Sequence, residues 1–494
     1  MIIPFAPRRL WTTAALAAVI AEVTGVVAAL HYHSLGLTLS HYDARGHLIV
    51  ARRIFDSITP GWQQIGAVWL PLPHLINALP AQIDFFYRTG ASGVAISVVS
   101  FGVATGAITW IVAVLCGSEL AALAAAMVFV LNPNVLYLQS TPMTEPLLLA
   151  LTTLGVALTI ESVRRPGTAW LGHAAGIVLA LACLTRYEAW PVTLTTIAMV
   201  LWTRWRASGS MAQAVRDVVA LAGYAVVAIV GFMIVSRVVI GEWFVANGFF
   251  VVENKALGDL WLAAKEIGWG VEMLSRSWLV LVGGLGLGVA AARALLGRPE
   301  SLLVLALLTT AATPLAAFYK GHPFRIRYMV PLLAAQAIGV GLAAGAFHRL
   351  RVPAAAAAAA FAIATLRPLN RAAPMVVEAQ WDRPNTAVRA EVTACLQRPL
   401  AGGKIMASMG SLGHYMQETS RSGLELRDFL HEGNGDIWLA ALDDPRPFAE
   451  WILVEEKAEG GDALAHIARE HPRFLDGYSR VCEGAGLALY RRVR

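Results

Sequence analysis

Charged residues are scarce in this sequence. Asp, Glu, Lys and Arg make up 15% of the 494 residues, whereas 57% are hydrophobic, and soluble proteins have about 25% charged residues. The net charge of +6 would suggest a nucleic-acid partner in a soluble chain. Here, however, the basic residues lie mostly in short segments between apolar runs, the pattern that sets membrane topology. The composition predicts a polytopic α-helical membrane protein in contact with membrane lipid and not with nucleic acid.

Cysteine is also scarce. Four cysteines are too few for a disulfide scaffold, and their spacing does not resemble a zinc site. Cys116 and Cys183 lie in or beside apolar runs, where a small apolar side chain is the simple explanation. Cys395 and Cys482 lie in the polar C-terminal tail and could pair if the tail faces an oxidising compartment.

The long apolar runs suffice for about eleven membrane-spanning helices. They fall near residues 10–30, 91–115, 119–138, 146–162, 169–185, 189–203, 217–240, 275–293, 300–318, 328–347 and 352–366. No small-residue cleavage site follows the first run, so we expect it to be retained. Arg8 and Arg9 precede that run, and the positive-inside rule therefore places the N-terminus in the cytoplasm. An odd number of spans then places the tail outside, which in a bacterial inner membrane is the periplasm.

Two domains follow from this topology. Residues 1–368 are predicted to form a transmembrane domain that includes an outer loop over residues 31–90, and residues 369–494 a periplasmic α/β domain. In the tail, apolar stretches predict strands and two segments predict helices. The strands are Lys404–Met409, Trp451–Val454 and Gly486–Tyr490, and the helices are Thr386–Leu396 and Asp462–His471.

The first outer loop is charged and aromatic in an otherwise apolar chain. Asp43 and His47 are four residues apart and so share one face of a predicted helix. Apolar residues at helical spacing, from Leu48 to Ile58, predict that this helix lies flat at the membrane interface with its charged side towards water. The alternative is a helix whose charges, such as Arg52 and Asp56, merely pair in solvent. The candidate substrate-binding residues of this loop are His47, Arg53, Trp69 and His74.

A second carboxylate stands in an outer turn with the sequence TPMTEP. Two prolines restrict the backbone around Glu145, which favours a fixed carboxylate that binds an acceptor or acts as a second acidic group. The alternative is an ordinary helix start, with Thr144 as the cap and Glu145 favoured by the helix dipole.

Four basic residues oppose the positive-inside bias because they fall in predicted outer loops. They are Arg186, Lys320, Arg325 and Arg327. Arginine presents a planar fork that suits phosphate, so these residues are candidates for binding the head of an anionic lipid. The alternative is that they only extend to lipid headgroups at the outer surface. Their neighbours, as candidates for substrate binding, are Tyr187, Glu188, His322 and Tyr328.

The segments HYDARGHLIVARRI, TPMTEP, LTRYEAWP and FRIRYMVPLL, with the number of spans and the polar tail, resemble glycosyltransferases of the C superfamily. The resemblance is to the protein O-mannosyltransferases and to the bacterial aminoarabinose transferases that act on lipid A. It implies by position that Asp43 is the general base and that Arg186, Arg325 and Arg327 bind the phosphate of a lipid donor. The mannosyltransferases have adjacent Asp and Glu in this loop, whereas Ala44 follows Asp43 here. Glu145 is therefore the candidate for the second acidic role.

The chemistry is consistent with this resemblance. Nucleotide-sugars are not available outside the membrane, so a hexose or pentose must arrive on a carrier such as a polyprenyl phosphate. Cations stabilise the phosphate as it leaves, and a carboxylate takes the proton of the acceptor hydroxyl. We therefore expect an inverting transfer to a lipid, glycan or protein acceptor. No cofactor is required, although a divalent metal is compatible with the site.

Two other functions remain open from the sequence. A flippase or transporter of lipid-linked sugars would carry charges near the bilayer midplane, often in repeated halves, whereas here the charges lie at one face. A ligase that uses a diphosphate-linked oligosaccharide would share the lipid donor.

Overall fold

The computed structural model describes residues 8–66, 68–241, 243, 253–346, 349–396, 403–457 and 462–493. The helices, in chain order, are α1 (Arg8–Ser34), α2 (Tyr42–Arg53), α3 (Leu72–Asn77), α4 (Asp84–Thr89), α5 (Ala91–Cys116), α6 (Glu119–Val130), α7 (Pro133–Leu138), α8 (Glu145–Arg164), α9 (Ala169–Cys183), α10 (Ala189–Ser208), α11 (Met211–Ile240), α12 (Leu260–Leu274), α13 (Ser277–Leu295), α14 (Ala312–Tyr319), α15 (Leu332–Ala344), α16 (Arg351–Leu366), α17 (Pro374–Glu378), α18 (Arg383–Ala394), α19 (Met409–Thr419), α20 (Asp436–Asp443) and α21 (Ala463–Glu470). The strands are β1 (Lys404–Ala407), β2 (Phe429–Leu430), β3 (Ala449–Glu455), β4 (Tyr478–Gly484) and β5 (Leu487–Arg492). Segments of 3₁₀ helix include Trp62–Ile65, Pro299–Ala311 and Ile326–Met329.

The chain divides into two compact units. The helical unit consists of Met1–Leu35, Val94–Ile234 and Glu253–Glu378, and the mixed unit of Gly36–Gly93, Val235–Val252 and Ala379–Arg494. The first outer loop is therefore grouped with the tail, whereas the predicted domains assigned it to residues 1–368.

Apolar helices make up the helical unit, and the predicted polytopic architecture is confirmed. Seven helical segments in the described residues are long and apolar enough to cross a membrane. They are Arg9–Ser34, Ala91–Cys116, Glu145–Arg164, Met211–Val239, Ser277–Leu295, Pro299–Tyr319 and Ile326–Ala344, and shorter apolar helices occur at Glu119–Val130, Ala169–Cys183 and Arg351–Leu366. The predicted count of eleven is not confirmed. One reason is that the run 119–138 breaks before Pro133, which starts the separate helix α7.

Helices α13 and α15 cross at their glycines. A Cβ on Gly286 would lie 1.7 Å from the carbonyl oxygen of Gly339, and one on Gly339 would lie 2.1 Å from the carbonyl oxygen of Gly283. These contacts join backbone to backbone, so no side-chain rotation can relieve them. Lipid gives helices no hydrophobic reason to associate, and close backbone approach through small residues is the usual substitute.

We predict that Gly286→Ala forces α13 and α15 apart and destabilises the protein by about 3 kcal/mol, the upper end for overpacking. Gly288→Ala is the matched control. Gly288 lies on the same helix as Gly286, but a Cβ added there would meet no atom within 4 Å. Thermal unfolding of the two variants in detergent measures the difference. Equal midpoints would contradict the crossing.

The mixed unit contains a five-stranded sheet in the order β2-β1-β3-β5-β4. Strand β1 pairs in parallel with β2 and β3, whereas β5 pairs antiparallel with β3 and β4. The predicted strands and helices of the tail correspond to β1, β3, β5, α18 and α21. A small α/β domain at the C-terminal end is therefore confirmed, and the short strand β2 and the exposed strand β4 were not predicted.

Helix α2 is buried in the core of this same unit. Leu48 and Ile49 of α2 pack in one cluster with Ile405 of β1, Phe429 of β2 and Tyr415 of α19. The prediction that the charged side of this helix faces water is therefore wrong.

The helix also ends earlier than its apolar pattern suggested. It stops at Arg53, and Phe55, the next residue of the predicted apolar stripe, is exposed. The spacing detected one buried face but could not show that the tail covers the others.

A disulfide bond joins Cys395, just after α18, to Cys482 in β4, with the Cα atoms 6.5 Å apart. The sequence had left this pairing open. The bridge closes a loop of 87 residues, for which loss of chain entropy in the unfolded state gives a stabilisation of roughly 4 to 5 kcal/mol. Cys116 and Cys183 are free.

Two acidic residues lie together at the end of β3. Burial raises the pKa of Glu455 to about 7, although Arg389 acts in the opposite direction. Burial also raises the pKa of Asp462 to about 6, and the carboxylate of Asp462 accepts a hydrogen bond from the backbone N–H of Glu455. Each carboxyl group therefore holds its proton to a higher pH in the folded than in the unfolded chain.

We predict that the contribution of Glu455 and Asp462 to the stability of the mixed unit is largest below about pH 4.5. This contribution is lost as the pH rises to about 7, because the folded state binds more protons than the unfolded state in that window. Glu455→Gln should flatten this part of the pH profile of thermal unfolding. The adjacent exposed residue provides the control Glu456→Gln, which should keep the wild-type slope. A Glu455→Gln profile parallel to wild type would contradict the prediction.

Candidate active site

Asp43 lies in the first turn of α2 and is buried, with 7% of its surface exposed. His41 precedes the helix in an extended conformation, and its ring Nδ1 accepts a hydrogen bond from the backbone N–H of Asp43 at 3.1 Å. The ring therefore caps the helix in place of the usual Ser, Thr or Asp. A carboxylate in the first turn is favoured by the helix dipole, so Asp43 is held in a fixed position near a local positive potential.

His47, His74 and Trp69 are brought together one turn further along α2. His47 Nδ1 lies 3.1 Å from His74 Nε2, and His74 Nδ1 lies 3.1 Å from the carbonyl oxygen of Leu70. The indole of Trp69 packs on the ring of His47 with 4.1 Å between ring centroids and stacks on His74 at 5.8 Å. Three predicted substrate-binding residues thus form one cluster.

Arg53 does not join this cluster through its side-chain hydrogen bonds. Its Nε donates to the carbonyl of Gln64 and its Nη2 to that of Ile65. Burial lowers the pKa of Arg53 to about 10. The guanidinium therefore fixes the Trp62–Ile65 turn, and its predicted role in substrate binding stays a prediction.

The alternative of a solvent-exposed pair at Arg52 and Asp56 is wrong. Arg52 Nε donates to Asp56 at 2.9 Å, and the two side chains are only 10% and 3% exposed. Asp84 takes a second hydrogen bond from Arg52 at 2.7 Å, and the backbone N–H groups of Leu426 and Arg427 donate to Asp56. Removing one partner of such a pair leaves a buried charge uncompensated, so this pair supports the structure of the unit.

In the helical unit, Glu145 is the first residue of α8 and is fully buried. Arg186, in the turn between α9 and α10, places Nη1 3.0 Å from Glu145 Oε1. The same guanidinium donates to Glu188 through Nε at 3.1 Å and Nη2 at 2.7 Å. Thr144 does not cap α8 with its side chain, and its hydroxyl accepts from Arg186 Nη1 at 2.9 Å instead. The helix start at Glu145 is therefore confirmed, the capping role of Thr144 is wrong, and the role of Glu145 as a second acidic group stays a prediction.

Arg186 uses most of its five N–H donors in this way. Burial alone would lower its pKa, but the charges of Glu145 and Glu188 outweigh burial and raise it. Repulsion from Arg327 acts in the lowering direction, which places that second guanidinium nearby. Arg186 is therefore held chiefly by carboxylates, and Arg327 is the neighbouring cation.

Arg325 and Arg327 lie where α14 gives way to α15. Arg327 is buried in the 3₁₀ turn Ile326–Met329, with its guanidinium carbon 5.2 Å from the centre of the Tyr328 ring. Arg325 is half-buried immediately before this turn. Lys320 follows the last residue of α14 and is exposed, so it differs from the two arginines in its surroundings.

His322 and Tyr328, two of the predicted substrate-binding residues, contact each other. The carbonyl of Pro323 can only accept, so His322 Nδ1 donates to it at 2.8 Å, and His322 Nε2 then accepts from the Tyr328 hydroxyl at 3.4 Å. Tyr187 instead packs edge-on against Trp190 and Phe232, a mainly apolar setting.

The sequence analysis missed residues whose partners are far away along the chain. Glu378 of α17 accepts a hydrogen bond from the backbone N–H of Ile326 at 2.6 Å. It thereby holds the start of the 3₁₀ turn Ile326–Met329, which with the preceding Arg325 we call the arginine turn. Glu418 of α19 pairs with the buried Arg45 of α2. Neither glutamate has a local motif, and only an alignment of related sequences would have provided a signal.

No group of three or more His, Cys, Asp or Glu side chains suited to a metal ion occurs among the described residues. Glu145 and Glu188 share one arginine rather than an open position between them. The residues of the candidate site therefore give no specific fit to a metal.

Comparison with known proteins relates this architecture to a fold class. The crystal structure of ArnT from Cupriavidus metallidurans bound to undecaprenyl phosphate aligns with 95% of this chain and 97% of its own, with a TM-score of 0.53 and 13% identity. The Archaeoglobus fulgidus oligosaccharyltransferase in complex with Zn and sulfate aligns with 95% of this chain and 73% of its own, with a TM-score of 0.47 and 13% identity. No curated protein sequence matches the chain.

This chain therefore shares the fold of ArnT. Residues 81–249 match the model of the dolichyl-phosphate-mannose-protein mannosyltransferase family. The resemblance predicted from the sequence is therefore confirmed for the fold and for this part of the chain. The matched range contains Glu145, Arg186 and Glu188, whereas Asp43 and the arginine turn lie outside it.

Proposed function

We propose that this protein is an inverting glycosyltransferase that moves a hexose or pentose from a polyprenyl-phosphate carrier to a lipid, glycan or protein acceptor. The family that matches residues 81–249 is named for a dolichyl-phosphate sugar donor, and the ArnT structure holds undecaprenyl phosphate. The single observation that carries the proposal is the buried guanidinium of Arg327, whose positive charge acts on Arg186. A buried cation at a break between apolar helices suits the phosphate of a membrane-embedded donor.

In the proposed reaction, an acceptor hydroxyl attacks the anomeric carbon from the face opposite the phosphate. Asp43 takes the hydroxyl proton, and the bond between the sugar and the phosphate oxygen breaks in the same displacement. Arg325 and Arg327 stabilise the charge that develops on the leaving phosphate, with Lys320 as a peripheral cation. Arg186 holds Glu145 as the second acidic group. No step in this scheme needs a metal.

We place the reaction on the outer face of a bacterial cytoplasmic membrane, with the N-terminus inside and the tail in the periplasm. The bond between Cys395 and Cys482 supports this orientation, since disulfides persist in oxidising compartments and are rare in the cytosol. Arg8 and Arg9, the first two residues of α1, support it independently through the positive-inside rule.

We predict that Asp43→Asn lowers turnover at least about 100-fold, the lower range for loss of a general base, and leaves donor binding intact. Purified protein in lipid vesicles is given undecaprenyl-phosphate-linked hexoses and pentoses with a membrane extract as the acceptor source, and released undecaprenyl phosphate is measured. Asp436→Asn is the control, because Asp436 also starts a helix of the same unit but is exposed. Turnover retained by Asp43→Asn would overturn the base, and donor translocation without release of undecaprenyl phosphate would identify a flippase.

We predict that Arg325→Ala and Arg327→Ala each weaken the binding of undecaprenyl phosphate at least about tenfold, since charge-assisted hydrogen bonds contribute about 1.5 to 3 kcal/mol. Native mass spectrometry in detergent gives the dissociation constants. Arg349→Ala, at an exposed position outside this turn, should bind like wild type. Unchanged affinity in both turn variants contradicts the phosphate site.

A further inference from the structure

We propose that His47 is a second proton acceptor of the reaction and that His74 is the positioning residue that fixes its tautomer. The transfer step of this inference rests on the proposed role of Asp43 as the base. The hydrogen-bond chain from Leu70 through His74 to His47 carries the inference, because each link determines which nitrogen of the next ring holds a proton.

The chain starts at a group that cannot donate. The carbonyl oxygen of Leu70 only accepts, so the His74 Nδ1 that lies 3.1 Å from it must carry hydrogen. His74 is 1% exposed, and burial together with the charge of Arg53 lowers its pKa to about 3. The ring is therefore neutral near pH 7, and its Nε2 has a lone pair and no hydrogen.

The hydrogen bond between His74 and His47 then determines which nitrogen of His47, on α2, carries hydrogen. His47 Nδ1 lies 3.1 Å from His74 Nε2, and a hydrogen bond between two nitrogens needs one donor. Because His74 Nε2 can only accept, His47 Nδ1 must donate. In the neutral form of His47 the lone pair is then on Nε2. The same logic orients the histidine of a Ser-His-Asp triad, but here the orienting group is a neutral ring that fixes the direction without attracting the proton.

The packing of Trp69 prevents the rings from turning over. Its indole covers His47 at 4.1 Å and lies nearly parallel to His74, at 18°. It also presses against α2 at Gly46, where an added Cβ would lie 2.8 Å from the indole Cη2. His47 itself is 5% exposed, so its packed neighbours decide which tautomer is favoured.

The proton path uses two groups one helical turn apart. Asp43 and His47 share a face of α2 by their spacing of four residues. Asp43 takes the proton of the acceptor hydroxyl as the acceptor oxygen bonds to the sugar and the sugar–phosphate bond breaks. The protonated carboxyl then passes this proton to the lone pair of His47 Nε2, because an imidazole nitrogen is generally a stronger base than a carboxylate oxygen. Asp43 becomes a carboxylate again, and the imidazolium releases the proton to water.

The tautomers are tested without any substrate. Protein labelled with ¹⁵N in the histidine rings is placed in detergent micelles, and the ring nitrogen shifts of His47 and His74 are assigned by their loss in His47→Asn and His74→Gln. We expect hydrogen on Nδ1 and a lone pair on Nε2 in both rings at pH 7. Hydrogen on Nε2 of His47 overturns the relay whatever the enzyme does.

The proton transfer is tested by turnover of the undecaprenyl-phosphate-linked sugar that the wild type accepts. His47→Asn keeps an amide donor in the position of Nδ1 but removes the Nε2 lone pair, so we expect kcat to fall at least about tenfold with an unchanged KM. His74→Gln keeps an acceptor oxygen for His47 and should retain more activity than His74→Phe, which has none. Thermal midpoints of all variants check their folding.

The outcomes separate the two proposals. Equal kcat in His74→Gln and His74→Phe overturns the positioning role of His74, and wild-type kcat in His47→Asn overturns the proton acceptor, while the base role of Asp43 stands in both cases. A wild-type protein that turns over none of the polyprenyl-phosphate sugars overturns the proposed function and with it the transfer step, whereas the ring nitrogen shifts still decide the tautomers.

Discussion

Both units depend on one constraint, which is that charged side chains buried away from water must be paired. A buried guanidinium or carboxylate is costly unless it is paired and hydrogen-bonded. In the helical unit Arg186 meets this demand by binding Glu145, Glu188 and Thr144 at once. In the mixed unit Asp56 accepts from Arg52 and from the backbone of Leu426 and Arg427. Each of these buried charges therefore has its partners in place, and removing any one partner would leave a buried charge uncompensated.

The mixed unit shows how a short charged helix can be buried. Helix α2 has an apolar face at Leu48 and Ile49, which the sheet of the tail covers, and basic side chains at Arg45 and Arg52. Acidic residues from elsewhere in the same unit, Glu418 and Asp84, meet the basic side chains. The tail is therefore part of the structure that holds Asp43, as well as being a folded domain at the chain end.

The features that could be predicted from the sequence are those that depend on residues close together in the chain. The apolar runs were long enough to be helices, and the spacing of Asp43 and His47 correctly placed both on one helix. Short apolar stretches predicted β1, β3 and β5. The break before Pro133 shows the limit of this approach, since hydropathy alone joined α6 and α7 into one span.

What could not be predicted depends on partners distant in sequence. An apolar stripe indicates that one face is covered, but not that α2 is covered on every side. The sequence indicated no partner for Arg186, whereas in the structure it pairs with Glu145. Glu145 reaches it only because α8 packs against α9 and α10. Likewise, His74 was in the sequence only one of several candidate substrate-binding residues, and its distances to Leu70 and His47 showed which nitrogen of its ring donates and which accepts.

The partnership of Arg45 with Glu418 also sets an order of events in biosynthesis. The two residues are 373 positions apart in the chain, and ribosomes add about 5 to 20 residues per second. Helix α2 therefore waits roughly 20 to 75 seconds after its own synthesis before the tail that covers it exists. During this interval its charged and apolar faces must be accommodated by water, lipid or a chaperone. A chain that terminates early never completes this environment, so the loop bearing Asp43 matures only in full-length molecules.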